Sequence, residues 1–181
     1  MATDKEKIVL GSGKLYMAEW DGLTIPADAT IEVDTNLLGL IKNGAKLNYT
    51  PTFYEAKDDL GLASKKILTE EAASLTAGLI TWSGKSINKL VSTGTLTEAA
   101  GKRTLKIGGI GNYTDKKYVI RFVHKDAVDG DIRVTIVGSN NTGFEIAFAK
   151  EGETILNPEF VAVPNDSTGT LIIYEEQIPV V

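Results

Sequence analysis

The amino-acid sequence predicts a mainly β fold: two packed antiparallel sheets, sandwich- or barrel-like, with one short flanking α-helix. Three observations lead there. Apolar residues recur with a period of two through the C-terminal half, as in Tyr118, Ile120 and Phe122, or Ile132, Val134 and Ile136. Clusters of Gly, Asn, Asp and Pro punctuate these segments. Only one segment joins a helical period to a stop signal: in Ser86–Ser92, Ile87, Leu90 and Val91 share a face and Gly94 follows.

In the N-terminal half, Lys14–Trp20, Thr30–Val33 and Gly44–Phe53 read as strands. Glu70–Trp82 is two-sided, because its alanines suit a helix while Leu75, Thr76, Ile80, Thr81 and Trp82 suit a strand. Gly78 decides for strand, since a mid-helix glycine costs about 1 kcal/mol relative to alanine. Ser83 or Ser86 is placed to cap the following helix. Further strands are expected at Thr104–Gly108, Tyr118–Val123, Ile132–Val137, Phe144–Ala149, Phe160–Val163 and Thr170–Tyr174. Asp129-Gly130 is a turn pair tolerant of positive φ, so the strands on either side form a hairpin. The longest polar interruption, Glu55–Lys65, is long for a hairpin turn.

A chain of 181 residues suits one domain, 1–181, large enough to bury a core without staples. It has no cysteine, which removes disulfides, thiol nucleophiles and thiolate metal sites. Met1–Lys7 carries mixed charges before three apolar residues, unlike a signal peptide, and no run approaches the roughly 20 apolar residues of a membrane helix. A soluble protein made and kept in a cytoplasm is expected, with no membrane partner. The net charge of −5 disfavours tight nucleic-acid binding through a positive face, yet suits a protein that lets DNA slide past.

The chemical motifs do not assemble into a reaction centre. Gly11-Ser-Gly-Lys14 lacks the spacing and hydroxyl residue of a phosphate loop, and a β-like segment follows it instead of a helix. Gly109 and Gly111 give half of a dinucleotide fingerprint, but Thr114 stands where the third glycine belongs. Both clusters read as bends. His124 is the only histidine, with no nucleophile and acid partner to complete a triad. Asp58-Asp59 and Asp126, Asp129 and Asp131 read as turn carboxylates, since the second set lacks the ligand spacing of a calcium loop. Glu70 and Glu71, adjacent on a strand, point to opposite faces. No enzyme, cofactor or small-molecule substrate is expected.

The order of segments carries a resemblance. Gly11-Ser-Gly-Lys-Leu-Tyr16 is followed by Ile41-Lys-Asn-Gly-Ala-Lys-Leu-Asn-Tyr-Thr-Pro51, then Lys57-Asp-Asp-Leu-Gly61, then Glu70–Trp82 leading into the helix, and finally Pro158-Glu-Phe-Val-Ala-Val-Pro-Asn-Asp-Ser-Thr-Gly-Thr-Leu171. This series, from Gly11 to Glu176, resembles the major tail proteins of long-tailed bacteriophages, the tail tube subunits, a family related in fold to the type VI secretion tube. The resemblance implies six copies closing a ring, rings stacking into a hollow tube, and DNA passing through the lumen without specific binding. It implies other phage tail proteins as partners and the virion tail as location, with the host cytoplasm during assembly. A long loop between two early strands would reach the next ring, and the residues matching it by position are Glu55, Lys57, Asp58, Asp59, Leu60, Leu62 and Lys65. Residues 1–7 and 177–181 are expected as flexible arms. Thr24–Leu40 is longer than the expected link between the first strands, and reads as an outer decoration or part of a ring contact. The competing reading is a monomeric β-sandwich recognition module that binds carbohydrate or another protein through its loops.

Overall fold

The computed structural model describes residue 9 and residues 11–178. Tyr118–His124 and Ile132–Asn140 form the antiparallel pair that their alternation predicts, with Ile120 opposite Ile136 and Phe122 opposite Val134. Asp126 shapes the turn between them: its carboxylate accepts from the N–H of Val128 at 2.8 Å and of Asp129 at 2.9 Å. Gly130 completes the turn at φ +86°, and a Cβ there would stand 2.2 Å from the Gln177 carbonyl oxygen.

In chain order the strands are β1 (Lys14–Glu19), β2 (Leu37–Lys57), β3 (Ser64–Leu79), β4 (Gly94–Ala99), β5 (Lys102–Ile107), β6 (Tyr118–His124), β7 (Ile132–Asn140), β8 (Glu159–Val163) and β9 (Ile172–Glu176). Two short helices, α1 (Asp28–Ile31) and α2 (Gly84–Lys89), accompany them. Seven strands make one antiparallel sheet in the order β6-β1-β2-β3-β8-β7-β9, and an extra β6–β7 pairing brings it nearly to a closed ring. Along one edge of β7, β8 takes Val137–Asn140 and β9 takes Ile132–Ile136. β4 and β5 form a separate small hairpin. The fold is mainly β, as expected. Of the sandwich- and barrel-like forms expected, the main sheet takes the barrel-like one, curling until β6 pairs with β1 on one edge and β7 on the other.

Period-two alternation gives this sheet two buried faces. Leu15, Met17, Ile120 and Ile136 point inward with Leu38, Leu75, Leu79 and Phe160, and α2 adds Ile87 and Leu90. Fully burying a side chain of this kind contributes about 1.5–3 kcal/mol. Tyr16, Val119, Val123 and Val137 point outward, where Ile31 of α1 covers them. α2 is held by three polar ties: the Ser83 hydroxyl accepts from Ser86 N–H at 3.4 Å, Ser86 Oγ donates to the Leu38 carbonyl at 2.7 Å, and Lys89 Nζ donates to the Met17 carbonyl at 2.7 Å.

Several expectations are corrected. Thr30–Val33 is not a strand. Asp28–Ile31 is one helical turn, which sets Asp28 and Glu32 on one side to meet Arg121 and Arg133 while Ile31 plugs the outer cluster. Phe144–Ala149 alternates, with Phe144 and Ile146 packed on the core, yet it pairs with no strand and is an irregular segment. The helix begins two residues earlier than expected, at Gly84, with Ser83 as its cap. The loop expected at 55–65 shrinks to 58–63, since Glu55 and Lys57 belong to β2 and Lys65 to β3. Of the two expected arms, residues 1–7 lie outside the described residues. So do 179–181, while the Gln177 N–H bonds the Asp131 carbonyl at 2.8 Å.

Candidate functional site

β2 and β3 are far longer than the sheet that holds them. β1 pairs with β2 only from Leu37 to Leu40, and β8 pairs with β3 only at Ser74–Thr76, whereas the β2–β3 ladder runs on to Lys57 opposite Ser64. From Lys46 to Lys57, at about 3.3 Å per residue, the ribbon extends roughly 36 Å. Its outer edges are unpaired beyond the body, and a two-stranded ribbon alone is marginally stable in water.

The two faces of this arm differ. One continues the inward face of the sheet: Leu75 and Ala73 are buried at the root, and beyond them Leu47, Tyr49, Phe53 and Leu68 lie 38–49% exposed. The other carries Asn48, Thr50, Thr52, Ser74 and Glu70. Near the tip it turns apolar again, with Tyr54 opposite Ile67. A register shift between Thr52 and Phe53 lies where Thr69 Oγ1 donates to the Thr52 carbonyl at 3.1 Å. Tyr49 donates its hydroxyl to Glu71, which raises the Tyr49 pKa by favouring the protonated phenol. Lys66 sits 4.4 Å from the centroid of the Phe53 ring. Glu70 and Glu71 do point to opposite faces, as their adjacency requires.

At the tip, Asp58 organises the turn. Its carboxylate accepts from Ala63 N–H at 2.7 Å, its carbonyl accepts from Gly61 N–H at 3.0 Å, and Gly61 sits at φ +68°. This leaves Leu60 and Leu62 in solvent, 80% and 84% exposed. Lys57 pairs with Glu55 at 3.3 Å behind them, and Lys65 stands opposite Ala56. All seven positions singled out for the stacking loop therefore fall on the arm's distal end. The aromatic and aliphatic residues along its shaft were not singled out. The available signal was the alternation of Leu47, Tyr49 and Phe53 with Asn48, Thr50 and Thr52.

The glycine clusters are bends. Gly11 sits at φ +113° against the His124 ring, and His124 Nδ1–H donates to the Ser12 carbonyl at 2.8 Å. A Cβ on Gly13 would stand 2.3 Å from the Val123 carbonyl oxygen, and β1 follows at once. Gly108 and Gly109, at φ +116° and +85°, feed a 3₁₀ turn over Ile110–Asn112. Neither cluster opens a helix, so neither offers the converging N–H groups that hold a phosphate.

Of Thr24–Leu40, Ile25 and Ile31 pack on the outer face of the sheet, while Leu37–Leu40 is the start of β2. Arg121, buried on β6, donates from Nε to Thr135 Oγ1 at 2.8 Å and forms a short ion pair with Asp28. Arg133 pairs with Glu32 at 2.6 Å. These bonds fix α1 to β6 and β7. No protein-family model matches the chain, and no curated protein matches it.

Proposed function

We propose that this chain is a structural subunit that joins copies of itself into rings, hexameric by its resemblance to phage tail tube proteins, stacked into a tube that conducts DNA. One observation carries the reading: the β2–β3 arm holds a row of half-exposed apolar side chains and two unpaired edges outside the body that anchors it. Such a ribbon gains stability by covering that row with another protein surface. Heterologous contacts that close by rotation give a ring, and axial repetition gives a tube. The acidic balance of −5 suits a bore that does not hold phosphate, so the lumen is expected to be negative or near-neutral.

Electron microscopy and light scattering of the purified protein at rising concentration test the proposal, with rings or fibres expected. Retention of duplex DNA by assembled tubes at low salt would contradict a non-binding bore. A persistent monomer whose melting temperature rises with a sugar would instead favour a carbohydrate-recognition module.

A further inference from the structure

We propose that Asn43-Gly44, at the root of the β2–β3 arm, is a site of spontaneous covalent modification, where the asparagine deamidates and rearranges to isoaspartate in the folded chain. It is the only Asn-Gly pair in the sequence. A backbone nitrogen attacks the preceding side-chain amide most readily when no Cβ shields it, and glycine has none. The Gly44 nitrogen bonds Asn43 Cγ, the Cγ–Nδ2 bond breaks, and the proton lost from Gly44 leaves with the amide nitrogen as ammonia. A five-membered succinimide remains. Water then opens this ring at either carbonyl, giving aspartate or, with the main chain rerouted through Cβ, isoaspartate.

The fold exposes this pair instead of protecting it. Lys42 faces Gly78 and Ala45 faces Ala77 in the β2–β3 ladder, so Asn43 and Gly44 bulge out with no opposite residues on β3. Both take the left-handed conformation, at φ +65° and +75°, which Asn and Gly tolerate best. The bulge therefore selects the most labile dipeptide. Asn43 is exposed, and a Cβ built on Gly44 would meet nothing within 4 Å, which leaves room for the ring and for water. Other asparagines are held. Asn36, Asn112 and Asn140 donate their amides to backbone carbonyls at 2.9–3.0 Å, whereas the Asn43 amide has no hydrogen bond among the described residues. Lys42 and Lys46 line the same groove as Asn43 and Gly44, and their charge favours the anionic nitrogen and the oxyanion that form during attack. The product sets a carboxylate beside Lys42, whose ammonium pairs with Glu153 at 2.6 Å and holds the Glu153 carboxyl below its usual range. Competition for that ammonium loosens the tie between the arm root and Glu153.

The test ages the full chain at mildly alkaline pH and follows it by peptide mapping and by labelling with an isoaspartyl methyltransferase. A mass gain of about 1 Da and methyl labelling are expected at Asn43, roughly tenfold or more faster than at any other asparagine. The rate is expected to lie within about tenfold of that in the urea-unfolded chain, because the paired positions stay in place during attack. Asn43→Gln is expected to abolish the labelling. Carboxyl NMR is expected to show the Glu153 pKa rising in the aged protein and in Asn43→Asp, which carries the charge without the rerouted backbone. Background labelling at Asn43 while the unfolded chain reacts, or labelling mainly at another asparagine, would overturn the proposal. An unchanged Glu153 titration in the modified protein would overturn the loosened tie and leave the modification standing.

Discussion

The ring-shaped body and the arm are built from the same two strands, yet they meet opposite physical conditions. In the body, Leu75, Ala77 and Leu79 of β3 are covered by β8, α2 and the 144–156 segment. A few residues further along the same face, Leu68 is left 46% exposed. The body satisfies itself; the arm does not. A chain that extends an apolar face beyond its own core retains surface that its own fold leaves in water.

Substitutions on the two regions separate these roles. Phe160→Ala, in the fully buried centre, is expected to cost about 3–5 kcal/mol in denaturant unfolding. Phe53→Ala on the arm is expected to cost less than about 1 kcal/mol, while suppressing assembly seen by light scattering. Equal losses at the two sites would end the contrast. Arg121→Ala is next in size, at about 2–3 kcal/mol, because the buried Thr135 hydroxyl loses its partner while Glu32 keeps Arg133. Its signature is faster hydrogen exchange at the Ile31 and Glu32 amides, which bond Ala27 and Asp28 within α1.

Ala100→Asn is expected to stabilise the β4–β5 hairpin by roughly 0.5–1 kcal/mol, read as a rise in melting temperature. Ala100 sits at φ +50° beside Gly101 at +73°, a two-residue turn in which asparagine is the better first residue. The smallest effect is acidic. Thr170 and Thr168 hold the Asp166 carboxylate through hydroxyl and backbone N–H groups and keep its pKa well below the usual range. A depressed carboxylate contributes stability above its unfolded pKa, near 3.9, and loses it as pH falls through the folded value. The 166–170 turn is therefore expected to loosen only in strong acid, with NMR of the Asp166 carboxyl as the readout.

The body was legible in the sequence because alternation reports which face of a strand is covered. It was equally readable for β6, β7 and the Asp126–Asp131 turn. The arm was half legible. Glu55, Lys57 and Lys65 look like loop residues, but a ribbon with water on both faces imposes no apolar period at its end. β4 was missed because Thr95 and Thr97 carry no apolar alternation and the turn is Ala-Gly instead of Asn-Gly. Phe144 and Ile146 gave the right burial and the wrong element, since alternation does not say whether an edge is available to pair with. Closure of the sheet has no local signal at all.

That closure also sets a timetable for synthesis. Leu15 pairs with Gly39 on one side and Phe122 on the other, so β1 waits for its second neighbour until more than a hundred further residues have left the ribosome. β8 and β9 come later still. Nascent chains must therefore carry an unfinished barrel for most of translation, and contacts so distant along the chain place folding in the slow, millisecond-to-second regime.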